Sequence, residues 1–155
     1  MTMTPDARES DRTRAVRNLE NEFGELIHLV RRVLAENAER MSPGMLPGAY
    51  KIFTTIVRRE SVTLSALAES LVADKGLVSR TVRDLEALGF ITRTPDPDDG
   101  RSSLISPTER GLERLAIARA PQESSLLAVL DEWPVDDIDR LSLLLHSLRT
   151  GQRPS

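Results

Sequence analysis

Apolar residues between about Arg14 and Arg40 recur at three- and four-residue steps: Val16, Leu19, Phe23, Leu26, Ile27, Val30 and Leu34, with charges between them. This spacing predicts one long amphipathic helix. Ser42, Pro43, Gly44, Pro47 and Gly48 break it, since proline and glycine punctuate regular structure. A second helix over about Pro47–Arg59 carries a short stripe of Tyr50, Phe53, Ile56 and Val57. Thr63 is a capping residue in front of LSALAESL, where Leu64, Leu67, Ala68 and Leu71 share a face, so a short third helix follows. Asp74 is again a capping type, and the stretch KGLVSRTVRDLEALG ends on Gly89, a natural helix stop. Two short helices thus lie a tight turn apart.

Phe90, Ile91 and Thr92 have β-type composition, PDPDDG is a turn cluster, and RSSLIS alternates weakly. These features predict a small hairpin. Ser106, Pro107 and Glu109 fit a capping box with proline at the first helical position, which predicts a new helix starting there. That helix carries Leu112, Leu115, Ala116 and Ala118 towards Pro121, which is expected to kink or interrupt it. Leu126, Leu127, Val129 and Leu130 continue an apolar face to Trp133, and Pro134 ends it. Asp136 and Asp137 then occupy the favourable first turn of a last helix with Ile138, Leu141, Leu144, Leu145 and Leu148. The expected fold is mainly α with a small β-hairpin. Its order of helix, tight turn, helix and hairpin is the winged helix-turn-helix, which places a second helix in the DNA major groove. Such units also serve as protein-contact modules, so the pattern alone leaves both uses open.

Composition narrows the classes. At 155 residues, 39% of them hydrophobic, the chain is long enough for one packed domain, or for a small DNA-reading unit with a helical arm. It has no cysteine, which excludes disulfides, thiolate metal ligands, cysteine nucleophiles and thiol redox sensing. MTMTPDARESDR lacks the apolar run of a signal peptide, and no stretch approaches the roughly 18 apolar residues of a membrane span. The reading is a soluble cytoplasmic protein with a disordered N-terminal tail at 1–13, a tail at 151–155 and no membrane partner. A formal net charge of −3 runs against a nucleic-acid binder, but phosphate contact depends on where the positive charges lie.

The second short helix has two clean faces. Stepping about 100° per residue from Lys75 gathers Val78, Thr81, Val82, Leu85 and Leu88 into a buried stripe. Gly76, Ser79, Arg80, Arg83 and Ala87 fall between about 40° and 140° on the other side, with Asp84 and Glu86 at its margins. A small, basic and hydroxylic face suits approach to base edges, arginine pairing with guanine and serine with several bases. An ordinary solvated face with Arg80 and Arg83 paired to nearby acids is the plainer alternative. Arg101 lies just past the turn, where a guanidinium at a hairpin tip can enter a narrow minor groove. Asp99 is placed to orient it through a charge-assisted pair; the alternative is that Asp96, Asp98 and Asp99 only keep the loop soluble. His28 and His146 stand far apart and match no metal spacing. No HExxH, GxSxG, phosphate-cradling glycine loop or Rossmann fingerprint is present, so no enzyme, cofactor or metal is expected.

These residues together resemble the MarR family of bacterial transcriptional regulators, over about residues 14 to 150. The most specific part is DGRSSLISPTERG from Asp99 to Gly111, similar to the family's wing of Asp, any residue, Arg, a hydrophobic strand and a Leu-Thr-x-x-Gly helix start. Asp99 and Arg101 take the wing positions, Thr108 and Gly111 the helix-start positions, and Pro107 replaces the usual leucine. LSALAESLVADKGLVSRTVRDLEALGFI resembles the two reading helices.

The resemblance implies a homodimer in which residues 14–46 and 107–150 supply interlocking dimerisation helices around a DNA-binding unit at 47–106. A two-fold dimer would read double-stranded DNA at a near-palindromic site with half-sites roughly 34 Å apart. The DNA-binding residues would be Lys75, Gly76, Ser79, Arg80, Arg83, Asp99 and Arg101. It also implies a repressor released by a small aromatic or lipophilic effector, in a cleft between arm and reading unit that His28, Tyr50 and Phe53 would line, with core packing as the alternative for those three. A winged-helix protein-interaction module and a related regulator with a different dimer arm are the rival readings.

Overall fold

The computed structural model describes residues 5–154, with side-chain surroundings from residue 9. Along the chain lie α1 (Pro5–Met41), α2 (Pro47–Arg59), β1 (Val62–Thr63), α3 (Leu64–Leu71), α4 (Lys75–Ala87), β2 (Ile91–Pro95), β3 (Ser103–Pro107), α5 (Glu109–Leu130) and α6 (Val135–Thr150). Two compact units divide between Ala118 and Arg119. The tail expected over 1–13 lies outside the described residues at 1–4, and from Pro5 onward the chain is already helical. Nothing in that stretch breaks a helix. The Thr13 hydroxyl donates to the Glu9 carbonyl at 2.9 Å, and Arg14 pairs with Asp11 at 2.9 Å, local contacts of the kind that extend a helix end.

In the first unit, α2 is the central element. Its Tyr50, Phe53 and Ile56 are buried with Met41 of α1, Leu67 of α3, Val78, Val82 and Leu85 of α4, and Ile105 of β3. The Phe53 and Phe90 rings meet at 6.1 Å, tilted by 54°, an arrangement aromatic quadrupoles favour. The helix caps follow local chemistry. Thr63 Oγ1 accepts the Ala66 N–H at 3.2 Å and Asp74 Oδ1 accepts the Leu77 N–H at 2.9 Å, satisfying donors that open α3 and α4. Helix α4 ends in a Schellman turn: Gly89 has φ +75°, its N–H donates to the Glu86 carbonyl at 2.9 Å and Phe90 N–H donates to the Leu85 carbonyl at 3.0 Å. The turn between α3 and α4 has no glycine. Val72 takes the left-handed conformation there, with φ 50° and ψ 45°, and is 94% exposed.

The hairpin gains a third strand, giving an antiparallel sheet in the order β1-β3-β2. Ile105 at its centre faces Val62 on one side and Arg93 on the other. The cap of α5 differs from the expected one. Strand β3 runs on through Pro107, paired with Ile91, so Pro107 ends a strand and does not start a helix. Thr108 is the cap: its hydroxyl accepts the Gly111 N–H at 3.1 Å and donates to the Gly89 carbonyl, while its N–H donates to the Phe90 carbonyl at 2.9 Å. Ser106 has no such partners because it still lies in the ladder.

Two arginines fasten α1 to the first turns of α5. Arg114 donates from Nε to the Met41 carbonyl at 3.0 Å and from Nη2 to the Arg40 carbonyl at 2.7 Å, filling acceptors left open at the end of α1. Arg40 in return donates to the Ala118 carbonyl at 3.2 Å and to Asn37 Oδ1 at 2.8 Å.

The second unit holds the remainder of α5 and all of α6. Pro121 lies inside α5 and does not divide it; a proline there removes one ladder donor, while helical residues continue on both sides. Asp136 and Asp137 stand in the first turn of α6, and Gly151, with φ 70°, closes it. None of the described residues of this unit is buried, and Leu126, Leu127, Val129, Leu143 and Leu148 are each more than half exposed. On α1, Val16, Leu19, Leu26, Ile27 and Val30 are also left open. No helix among the described residues is long and apolar enough to cross a membrane.

Candidate nucleic-acid interface

Helix α4 is held from behind and free in front. Val78, Val82 and Leu85 fix its inner face at 0–1% exposure. Lys75, Gly76, Arg80 and Arg83 are exposed and Ser79 is half-buried, so the face separation read from periodicity holds for these residues. Leu88, expected in the buried stripe, is 39% exposed. Gly76 adds no side chain, leaving the first turn of α4 low enough for close approach by another backbone. Lys75 Nζ donates to Ser65 Oγ at 2.8 Å, so the lysine is steadied by the first turn of α3.

The acids of α4 are kept off this face. Glu86 Oε2 lies 3.1 Å from Arg93 Nε of β2, which neutralises it and ties the reading helix to the base of the hairpin. Arg80 and Arg83 enter no ion pair with a neighbouring acid among the described residues. The solvated-face alternative expected such pairs.

The hairpin tip is organised by its own carboxylates. Asp96 Oδ1 accepts the Asp98 N–H at 2.9 Å, and the Asp96 N–H donates to the Ser102 carbonyl at 3.1 Å. Asp99 Oδ1 accepts the backbone N–H of Arg101 at 3.1 Å. Asp99 therefore shapes the turn from which Arg101 projects, and no pair between carboxylate and guanidinium joins them among the described residues. A short aspartate mimics a backbone turn most directly by bonding the N–H two residues on. The tip is thus built, not merely solubilised.

Lys75, Asp99 and Arg101 come together around one cleft of about 460 Å³ between α3, α4 and the hairpin, also lined by Ser65, Arg93 and Asp96. Gly76, Ser79, Arg80 and Arg83 lie outside that lining, along α4. Sequence reasoning missed Arg93 and Ser65. Arg93 alternates with the buried Ile91 along β2, but only the fold brings it to Glu86.

The three residues expected to line an effector cleft are not brought together. Tyr50 and Phe53 are 2% and 0% exposed and fill the core; the Tyr50 hydroxyl receives Asn37 Nδ2 at 3.4 Å. His28 is exposed on α1, beside Glu25, Leu29 and Arg32. The α2 aromatics point inward because they stand on the face that packs against α4 and the sheet. No cluster of His, Cys, Asp and Glu that could hold a metal occurs among the described residues.

Comparison with known proteins points the same way. The MarR family model matches residues 47–103, the span from α2 to the start of β3. The HTH-type transcriptional regulator YybA of Bacillus subtilis (strain 168) is 26% identical over 113 residues, 73% of this chain and 75% of its own. The HTH-type transcriptional regulator YdcH of the same organism is 41% identical over 63 residues, covering 41% and 43% of the two chains. Two solved structures share the fold. One, a MarR family transcription regulator, has a TM-score of 0.76 at 17% identity and covers 91% of this chain and 92% of its own. The other, a mutant MarR from E. coli complexed with operator DNA, has a TM-score of 0.57 at 23% identity, covering 84% and 96%. Residues 47–103 thus match the MarR family model, and the chain has the winged-helix fold of MarR-type transcription regulators.

Proposed function

We propose that this chain acts in the cytoplasm as a two-fold dimeric repressor that reads a near-palindromic site and lets go when a small molecule binds. The observation carrying this reading is the pairing of an acid-free basic face on α4 with a carboxylate-built hairpin tip that presents Arg101. Arg80, Arg83 and Ser79 face base edges in a major groove, Lys75 and the bare backbone of Gly76 meet phosphate, and Arg101 enters the flanking minor groove. The acidic sum of charges does not oppose this, since phosphate contact depends on where the positive charges lie, and Glu86 of α4 is engaged with Arg93.

The exposed apolar residues of α1, α5 and α6 support the dimeric reading, since exposed apolar patches mark interaction surfaces and a two-fold axis buries the same patches on both partners.

The test is equilibrium binding of the purified chain to its own upstream intergenic DNA and to a scrambled duplex, at two salt concentrations. Arg80→Ala is expected to cost about 1–3 kcal/mol on the native duplex only, and Arg101→Ala to weaken the complex and lower the salt slope by about one. Sedimentation of the free protein should give a dimer mass. If neither duplex is bound at low salt, the protein-interaction module becomes the better reading.

A further inference from the structure

Helix α4 and the hairpin tip stand on different elements, and the core fixes only the root of the hairpin. Ile91 and Ile105 anchor it there, at 2% and 1% exposure. Outward of Ile91, β2 carries no buried residue. Strand β1 supports β3 only as far as Leu104, which it pairs through Thr63. The ladder of β2 and β3 runs one step further, to Pro95 and Ser103, and the tip with Asp99 and Arg101 lies beyond it. A two-stranded ribbon without a third strand twists strongly and holds its shape poorly by itself.

Arg93 stands at the limit of that support. It shares a face of β2 with Ile91, lies opposite Ile105 in the ladder, and meets Glu86 of α4 with Nε 3.1 Å from Oε2. Among the described residues this is the one ion pair between α4 and the hairpin. The Arg93 Nε is buried and makes no hydrogen bond, so the tie is one of charge and position. The two side chains are 30% and 43% exposed, and pairs this open add little to overall stability. What the pair fixes is a distance, from the last turn of α4 to the strand that carries the tip.

We infer that Glu86 and Arg93 are positioning residues for DNA binding, a strut that holds the tip at the spacing from α4 at which Arg101 and Arg80 engage one duplex together. This rests on the proposed reading of DNA by α4 and the tip. A tip held in place beforehand need not be ordered at the moment of binding, which raises affinity without any new contact. Counting charges leads to the opposite result. Glu86 is an acid at the margin of the reading face, and its removal would tighten the hold on phosphates if summed charge alone acted. The strut requires that its removal weaken it.

The experiment is equilibrium binding of the full chain to its own upstream intergenic duplex at low salt, for Glu86→Gln, Arg93→Gln and the double variant. Glu86→Gln is expected to bind about tenfold more weakly than the native chain. The double variant should bind no more weakly than the weaker single one, because either change breaks the same link. Adding Arg101→Ala to Glu86→Gln should cost little further. Unchanged or tighter binding by Glu86→Gln, or losses that add in the double variant, overturns the role in DNA binding. A DNA-free arm keeps the strut apart from the DNA reading on which that role rests. Amide hydrogen exchange over residues 92–104 should quicken about fivefold in Glu86→Gln, with residues 78–85 unchanged. Equal exchange in the two proteins, or a matching rise over residues 78–85, overturns the strut. If no duplex is bound by the native chain, the role in DNA binding falls with the proposed function, and exchange alone still decides the strut.

Discussion

Gly111 stands where three parts of the first unit converge, and replacing it with alanine isolates the energetics of that joint. A Cβ at this position would lie 2.4 Å from the Phe90 carbonyl oxygen and 2.9 Å from Phe53 Cζ. Two effects oppose each other. In a helix, alanine is favoured over glycine by about 1 kcal/mol. Against this stands overpacking, which costs about 1–3 kcal/mol in well-packed surroundings. The upper part of that range applies, because neither neighbour can step aside. The Phe90 carbonyl is held by the Thr108 N–H at 2.9 Å, and the Phe53 ring is fully buried against Phe90. The net expectation for Gly111→Ala is a loss of about 1–2 kcal/mol, or a melting temperature lower by roughly 2–8 °C for a chain of this size. Gly48→Ala is the matched control, since nothing lies within 4 Å of its added Cβ. Thermal unfolding followed by circular dichroism, at one fixed protein concentration, gives both values. If Gly111→Ala melts at or above the native temperature, the close packing of α5 on the Phe90 carbonyl is wrong.

Two further substitutions test features of the same unit. Val72 holds a left-handed backbone with its side chain 94% exposed; since L-residues pay about 1–2 kcal/mol there, Val72→Gly should stabilise by about 0.5–1 kcal/mol after the entropy of glycine is subtracted, read from urea midpoints. Arg114→Ala removes two donors from the carbonyls closing α1 and should cost about 2–3 kcal/mol, with Arg114→Lys recovering only part, because a point charge cannot bridge two carbonyls as a planar fork does; equal stability of all three proteins would discount the clamp.

Local chemistry was readable along most of the chain. Thr63 and Asp74 cap the helices they precede, because a capping hydroxyl or carboxylate needs only the next turn. The buried stripe of α4 at Val78, Val82 and Leu85 followed from spacing alone. What failed depends on partners distant in sequence. Ser106 and Thr108 are both hydroxyls near a helix start, and the Gly89 and Phe90 carbonyls decide between them. Strand β1 is two residues long, too short to leave an alternation, and exists because β3 offers it a ladder. Tyr50 and Phe53 sit on an apolar helix face in either case; whether such a face fills a core or lines a cavity is settled by the elements opposite. The interface residues Lys75, Asp99 and Arg101 were legible singly, but their meeting around Arg93 required the fold.

The joint at Thr108 separates two kinds of information in a site on DNA. Its hydroxyl and N–H bind the last turn of α4 to the first turn of α5 through the Gly89 and Phe90 carbonyls. On the proposed reading by a two-fold dimer, α4 would choose the letters of each half-site, and the pitch at which α5 leaves this joint would set the gap between the two halves. Letters and gap would then drift independently: exchanges along the outer face of α4 would respell the half-site, whereas exchanges at residues 108–111 would retune its spacing with the spelling intact.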